Sequence, residues 1–453
     1  MEPRYGPPPD PREILVAAGP LDQPLAWAFC LIVGGLLVGL GYRRRWPLLF
    51  CLGGVVTLSA PWLFYTADAV FGAYPTVDKA GSLAFYLDGV QWRLLETTDP
   101  AMRLIGVHVG HLWVTAAFDL LLPAFAAFNA QVLLNLTLAW YCAHRLFRAL
   151  GARGDSSLFL AFFFAMNLHQ FRDINWYTIE KTAIFWLPLY GLSLWRSWQG
   201  DRRWMVGSGL LFGLAFFMNA YWALLCGGLA AAALLLGSAV AWRRPELRPQ
   251  WKVLGGAFFF SVLGGLPLAW LQWRLMHGEA SLGSPEAFAE RAGLDVLSLW
   301  PPAWNRLELW RVLDPLALAL VFLSLKERKI QWLWVLMLPF LLLSLGPLHN
   351  PLYFLCNLLI PGFWRMAKPE TFFHLAWLLM LAAGAVAWRR PLPRLLMPLA
   401  LLSWLLLVRL HPVYPGLARP IDAGLAPGWQ QILGKPATAS EPRDPAVPAK
   451  EGR

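Results

Sequence analysis

The sequence predicts an all-α, polytopic membrane protein with about twelve transmembrane helices. Of its 453 residues, 58% are hydrophobic and only 14% are charged, whereas soluble chains carry about a quarter charged residues. Many of the 26 Trp stand near the ends of apolar runs, as aromatic belts at membrane interfaces do. The net charge is +11, but the cations cluster in short segments between these runs. This distribution is typical of the cytoplasmic loops of a membrane protein and does not indicate a nucleic-acid partner.

Each apolar run approaches the ~20 residues that a helix needs to cross a bilayer core. We place the spans at 24–41, 47–66, 125–144, 156–169, 182–195, 204–219, 222–241, 253–273, 313–325, 330–346, 371–388 and 394–409. Every second connection between consecutive spans is charged. These charged connections are 42–46, 144–155, 196–204, 242–252, 326–329 and 389–394. These segments hold 19 Lys/Arg against 4 Asp/Glu, so the positive-inside rule places them in the cytoplasm.

The same rule places both termini and every long loop outside. The long outer loops are 67–124, 273–312 and 347–370. The chain then divides into an outer N-terminal segment, 1–23, a transmembrane domain, 24–409, and an outer C-terminal tail, 410–453. The end of the tail is rich in Pro and charge and is predicted to be disordered. In a bacterium this arrangement indicates a multi-pass inner (cytoplasmic) membrane protein with periplasmic termini.

The first outer loop contains PTVDKAGSLAFYLDGVQW, where Asp78 precedes a helical pattern over 79–98. Apolar residues at helical spacing, with polar residues opposite, predict a helix that lies along the membrane surface. Asp78 would occupy its first turn, where the helix dipole favours a carboxylate, and this position also fits a purely stabilising acid. Further on, the spacing of His108 and His111 fits a metal pair or a hydrogen-bonding surface pair, and both are candidate substrate-binding residues.

The segment NLHQFRDINWYTIEKTAIFWLPL, residues 167–189, joins two spans with a dense polar and aromatic set. Its candidate substrate-binding residues are His169, Asp173, Tyr177 and Glu180. Sugars are held by stacking surfaces and bidentate polar groups, so this mixture fits a sugar-binding rim. Ordinary loop polarity would give a similar composition.

A third polar patch closes the last outer loop, where Arg365 and Lys368 precede a span. The positive-inside rule disfavours cations in an outer loop, so the presence of Arg365 and Lys368 there requires an explanation. Binding of an anionic lipid phosphate is one, because Arg grips a phosphate bidentately and Lys supplies a point charge. Snorkelling to ordinary lipid headgroups is the other.

The order of these features resembles the GT-C superfamily of polyprenyl-phosphate-sugar-dependent glycosyltransferases, and within it the bacterial branch of mannosyltransferase-like membrane proteins. The resemblance covers roughly residues 50–390. It rests on the order of PTVDKAGSLAFYLDGVQW, AAFNAQVLLNLTLAWYCAHRLFRALG, INWYTIEKTAIFWLPLYGLSLW, LLFGLAFFMNAYWALLCGGLAAAALL and IPGFWRMAKPETFFHLAWLLMLAAGAVAW.

The resemblance implies transfer of a sugar from a polyprenyl-phosphate donor to an acceptor on the periplasmic face, within membrane lipid. It implies that Asp78 is catalytic, as a base or as a partner of a metal. Lys79 follows where the family often carries a second acid, so a divalent cofactor stays open and no metal ligand is assigned. The sequence lacks nucleotide-binding and soluble-hydrolase motifs, which agrees with a lipid-linked donor. Two other functions stay open: a transporter or flippase for a lipid-linked glycan, and a non-catalytic component of envelope-glycan assembly.

Overall fold

The computed structural model describes residues 24–63, 70–71, 109–122, 124–167, 170, 179–276, 315–344, 351–359, 369–388, 396, 399 and 417–418. Within these residues the chain is built almost wholly from α-helices, so the predicted all-α fold class is confirmed. The helices are α1 Pro24–Arg44, α2 Pro47–Leu63, α3 Val109–Asp119, α4 Ala124–Ala149, α5 Gly154–Ala165, α6 Ile179–Thr182, α7 Trp186–Trp198, α8 Arg203–Met218, α9 Ala220–Arg243, α10 Arg248–Met276, α11 Pro315–Leu323, α12 Gln331–Ser344, α13 Pro351–Leu359 and α14 Pro369–Ala387.

Two short strands complete the described elements. Strand β1, Val70–Phe71, pairs antiparallel with strand β2, Leu417–Ala418. β1 also packs against α4. The pairing therefore brings the first predicted outer loop and the C-terminal tail to the same place, beside α4.

Eleven of the predicted spans coincide with helices, namely α1, α2, α4, α5, α7 to α12 and α14. The twelfth, 394–409, lies outside the described residues except for Leu396 and Leu399, and so does the predicted surface helix at 79–98. Within the described part, two stretches are long and apolar enough to cross a membrane by length and composition, Ala220–Arg243 and Pro245–Trp270.

Helix α5 lies in the core between α4 and α14. All residues from Phe159 to Ala165 are buried, so this part of the helix has no face toward the surface. On one side the indole Nε1 of Trp140 donates to the carbonyl of Leu158 at 2.8 Å. On the other, Nε1 of Trp377 donates to the carbonyl of Phe163 at 3.2 Å. These bonds satisfy the indole N–H groups that packing would otherwise leave buried without a partner.

Helices α8 and α10 approach each other closely because glycines line their contact. A Cβ atom on Gly209 would lie 2.6 Å from the carbonyl oxygen of Phe260, and one on Gly213 would lie 3.0 Å from the carbonyl oxygen of Gly264. Backbones approach this closely only where side chains are absent, a device common between membrane helices.

Most Lys and Arg residues of the described chain lie in or beside the short connections α1–α2, α4–α5, α7–α8, α9–α10 and α11–α12. The end of α4, the end of α7 and the start of α12 meet, because Trp195 Nε1 donates to the Ala149 carbonyl at 2.9 Å and the Trp195 ring stacks on Trp332 with centroids 5.6 Å apart. We refer to this side as the cationic end. Its cations are Arg43, Arg44, Arg45, Arg145, Arg148, Arg153, Arg196, Arg202, Arg203, Arg243, Arg244, Arg248, Lys252, Lys326, Arg328 and Lys329.

The outer surface of the bundle carries large apolar side chains in stripes. On α8, Val206, Leu210 and Leu214 recur every fourth residue and are between 48% and 66% exposed. Similar stripes run along α1, α10 and α12, with the members Phe29, Ile32, Leu36, Phe259, Leu263, Leu266, Val335, Leu338 and Leu342. The apolar surface of these helices thus points outward as well as into the core.

Candidate functional site

The end of the bundle opposite the cationic end buries polar side chains from several segments. Helix α3 begins there against the end of α8, since a Cβ on Gly110 would lie 2.9 Å from the Met218 Cα. The start of α9 meets the start of α14, where the rings of Trp222 and His374 pack edge to face with centroids 6.3 Å apart. We refer to this side as the polar end.

Helix α4 supplies three buried amides to the polar end. Asn129, Gln131 and Asn135 lie in its first half and are at most 3% exposed. Gln131 and Asn135 are four residues apart, so they project from the same face, one turn from each other. An amide in an apolar interior is costly unless it is hydrogen bonded. The partners of these two residues come from α3 and from the segment that follows α5.

Gln131 joins α4 to α3 through His111. Its Nε2 and Nδ1 of His111 form a hydrogen-bonded pair at 3.2 Å, while its Oε1 hydrogen bonds with the Thr115 hydroxyl. The surface placement expected for His111 is wrong: the residue is 1% exposed, because α3 packs against α4 and turns this face inward.

Asn135 joins α4 to the segment after α5. Its Nδ2 donates to the Thr182 hydroxyl at 2.8 Å, and Nε2 of Gln170 donates to the Thr182 carbonyl at 2.7 Å. The Gln170 backbone N–H is held in turn by Oδ1 of Asn167 at 2.8 Å. The Oε1 atom of Gln170 is buried and has no hydrogen-bond partner among the described residues. It is therefore an acceptor that a polar ligand group can use.

Lys181 brings a positive charge into the same region. It lies in α6, between Glu180 and Thr182, and is only 4% exposed. A buried ammonium group is stable only where anions or several acceptors surround it. We define the polar cluster by these buried side chains: His111, Thr115, Gln131, Asn135, Gln170, Lys181 and Thr182.

The structure places two of the predicted site residues. His111 is part of the polar cluster, and Glu180 lies in α6 beside Lys181. The remaining predicted site residues lie outside the described residues: Asp78, His108, His169, Asp173, Tyr177, Arg365 and Lys368. In the sequence, Lys368 directly precedes Pro369, the first residue of α14.

The prediction from sequence missed most of the polar cluster, including Gln131, Asn135, Lys181 and Thr182. The signal was present in AAFNAQVLLNLTLAW, where three amides interrupt an apolar run. Polar side chains within an apolar helix are costly and tend to face the interior of a bundle or a functional cavity. A search for uncharged polar residues within the spans would have found the α4 face.

Among the described residues, no group of three or more His, Cys, Asp or Glu side chains is arranged to hold a metal ion. Comparison of the chain with protein-family models, with curated proteins and with solved structures gave no match. The function is therefore inferred from the geometry and chemistry of the polar end.

Proposed function

We propose that the protein is an integral membrane glycosyltransferase, which moves a sugar from a polyprenyl-phosphate carrier to an acceptor at the periplasmic face. The observation that carries this proposal is the polar cluster, a buried set of amide, imidazole, hydroxyl and ammonium groups at one end of an apolar helical bundle. Such groups are costly to bury, so their concentration at one end favours a binding site there.

The apolar outer stripes support placement of the whole bundle in a bilayer. Soluble monomers rarely expose contiguous apolar patches larger than a few hundred Å², whereas Phe29, Leu36, Leu210 and Leu263 are each between 44% and 67% exposed. Lipid is the solvent in which such surfaces are stable. We accordingly retain about twelve spans, several of them short or tilted within the bundle.

Sidedness follows from the two ends of the bundle. The cationic end would face the cytoplasm by the positive-inside rule, and the polar end would then face the periplasm. The β1–β2 pairing supports this orientation, because it brings the loop at Val70–Phe71 and the tail at Leu417–Ala418 to one side. Both segments are outer in the predicted topology.

The three predicted patches are joined to the polar end by short lengths of chain. Asp78 follows Phe71 by seven residues, which span at most about 25 Å. Glu180 belongs to α6, which carries Lys181 and Thr182 of the polar cluster. Lys368 adjoins α14, whose Thr371 and His374 are buried. These short connections support the proposal that all three patches approach a lipid-linked sugar at the outer leaflet.

In the proposed reaction the acceptor hydroxyl attacks the anomeric carbon of the sugar. Asp78 takes the hydroxyl proton as general base, the bond between that carbon and the phosphate oxygen breaks, and polyprenyl phosphate leaves. Arg365 and Lys368 stabilise the charge of the phosphate as it departs. The polar cluster, and Gln170 Oε1 in particular, holds sugar hydroxyls.

The test is sugar transfer by the purified protein reconstituted with a polyprenyl-phosphate sugar, using Asp78→Asn and, as a matched control in the same loop, Asp88→Asn. General-base catalysis contributes about 10²–10⁴-fold, so D78N should lose at least about 100-fold in rate while it still binds donor, and D88N should keep its activity. Full activity of D78N would contradict the catalytic role. Movement of donor between leaflets without sugar transfer would indicate a transporter instead. If D78N changed neither sugar transfer nor donor movement, the result would indicate a scaffold.

A further inference from the structure

An apolar cavity of about 290 Å³ lies near the cationic end. Helices α4, α7, α9, α10, α12 and α14 all contribute to its wall, which consists of Leu, Trp, Val, Ala and Gly residues. The indole N–H of Trp195 points away to the Ala149 carbonyl at 2.9 Å. The cavity therefore offers a ligand dispersion contacts and removal from water, which suits a hydrocarbon chain.

The cavity opens toward the surface of the bundle. Leu229 and Leu378, at its inner side, are buried, whereas Leu150, Trp198 and Val240 are partly exposed. With about 30 Å³ for a group the size of a water molecule or a methylene, the space holds roughly ten such groups. This is a length of hydrocarbon comparable to much of one acyl chain.

Cations surround the residues that line the opening. Arg196 follows Trp195, Arg248 follows Leu247, and Arg243 and Arg244 follow Val240 by one turn; all four arginines are exposed. Glu246 is the carboxylate that stands among them in sequence, so this rim keeps a net positive charge. An apolar slot bordered by several guanidinium groups matches a molecule with a hydrocarbon chain and an anionic head.

We propose that this cavity binds one acyl chain of an anionic glycerophospholipid, with the lipid phosphate among Arg196, Arg243, Arg244 and Arg248. The cytoplasmic leaflet is the side rich in anionic lipid, and each nearby Lys or Arg adds to the attraction. Arginine suits the phosphate because its guanidinium group donates bidentately. The site depends on the proposed membrane embedding but not on glycosyl transfer, and it is at the opposite end from the predicted donor site.

The test titrates the purified, detergent-solubilised full chain with phosphatidylglycerol and with phosphatidylcholine of the same acyl chains, and counts bound lipid by native mass spectrometry. The wild type should bind phosphatidylglycerol at least about tenfold more tightly. Arg243→Gln with Arg244→Gln should weaken phosphatidylglycerol binding about 30-fold. The matched pair Arg43→Gln with Arg44→Gln, at the end of α1, which contributes no residue to the cavity wall, should bind it like the wild type.

A second variant tests the chain-binding slot without altering charge. Ala233 lines the cavity, so Ala233→Leu should fill it and weaken binding of both lipids, while Ala231→Leu on the same helix should not. Equal affinity for the two lipids, or unchanged phosphatidylglycerol binding by A233L, would overturn the proposal. Sugar transfer measured on the same samples separates the two proposals: equal affinity of the wild type for the two lipids, with sugar transfer intact, counts against this site alone.

Discussion

Asn135 and Thr182 join α4 to α6 by a hydrogen bond of 2.8 Å from Nδ2 to Oγ1, with both residues buried. Removal of either partner leaves the other without this bond in an apolar surrounding. We expect Asn135→Leu and Thr182→Val each to lower the free energy of unfolding by about 1–3 kcal/mol. Reversible unfolding by SDS in mixed micelles measures the change.

The double variant isolates the bond itself. Between membrane helices such bonds have coupling energies near 0.6 kcal/mol and at most about 1.7 kcal/mol, and we expect a value in this range. Thr137→Val is the control, because the Thr137 hydroxyl is buried on α4 without a hydrogen-bond partner among the described residues. A coupling energy of zero between Asn135 and Thr182 would show that this hydrogen bond does not stabilise the fold.

A second prediction concerns the contact of α8 with α10. Gly209→Ala places a methyl group 2.6 Å from the Phe260 carbonyl oxygen, and this overpacking should cost about 1–3 kcal/mol. Gly207→Ala, two residues away, meets only the Trp204 ring at 3.5 Å and should stabilise the helix by about 0.5–1 kcal/mol. Thermal unfolding of the two variants measures the difference, and similar melting temperatures would contradict this packing.

The third prediction tests sidedness through Cys356, which is half-buried on α13, whereas Cys51, Cys142 and Cys226 are buried. With Cys30 replaced by Ala, a membrane-impermeant maleimide should label Cys356 in intact cells. A cysteine introduced by Lys329→Cys at the cationic end should be labelled only after permeabilisation. Labelling of K329C in intact cells, with Cys356 protected, would reverse the proposed orientation.

The rate of this labelling should depend on pH in a defined direction. Burial raises the pKa of the Cys356 thiol, so at a given pH less of it is thiolate than in a solvated thiol. The maleimide reacts with the thiolate, and the reaction should be slower than with a solvated thiol and keep rising as the pH increases through the ordinary thiol range. A rate equal to that of a solvated thiol at pH 8 would show that Cys356 is not shielded.

A fourth prediction separates the two cation sites. Arg365→Gln with Lys368→Gln should weaken binding of a polyprenyl-phosphate sugar by about 30-fold through lost phosphate contacts. The same variant should bind phosphatidylglycerol like the wild type. Arg243→Gln with Arg244→Gln should show the reverse pattern, with donor binding intact. If either pair of substitutions weakened both ligands equally, separate sites at opposite ends would be ruled out.

Most of the helical framework could be predicted because eleven of the fourteen described α-helices correspond to apolar runs of the sequence. Helix α5 shows the limit of this approach. Its span was predicted at 156–169, but the helix begins at Gly154 and ends at Ala165. An apolar run indicates burial without telling a lipid-facing helix from a core helix, and α5 is enclosed by α4 and α14.

The candidate site was less predictable because its partners are distant in sequence. Gln131 contacts His111 across twenty residues and Asn135 contacts Thr182 across forty-seven. Charged residues directed the prediction to Glu180 and the segment 167–189, whereas the buried groups of the polar cluster are mostly neutral amides and hydroxyls. Which face of α4 turns inward depends on its packing against α3 and α6. The sequence pattern alone does not indicate this orientation of the helix about its axis.

The pairing of Val70 with Ala418 has a consequence for biosynthesis. A ribosome makes the first of these residues long before the second, so the edge of β1 stays unmatched while the intervening helices are synthesised. Closure beside α4 thus comes late, after the intervening helices have been made. Nascent chains arrested before Leu417 should accordingly display Val70–Phe71 to proteases or chaperones that the finished protein excludes.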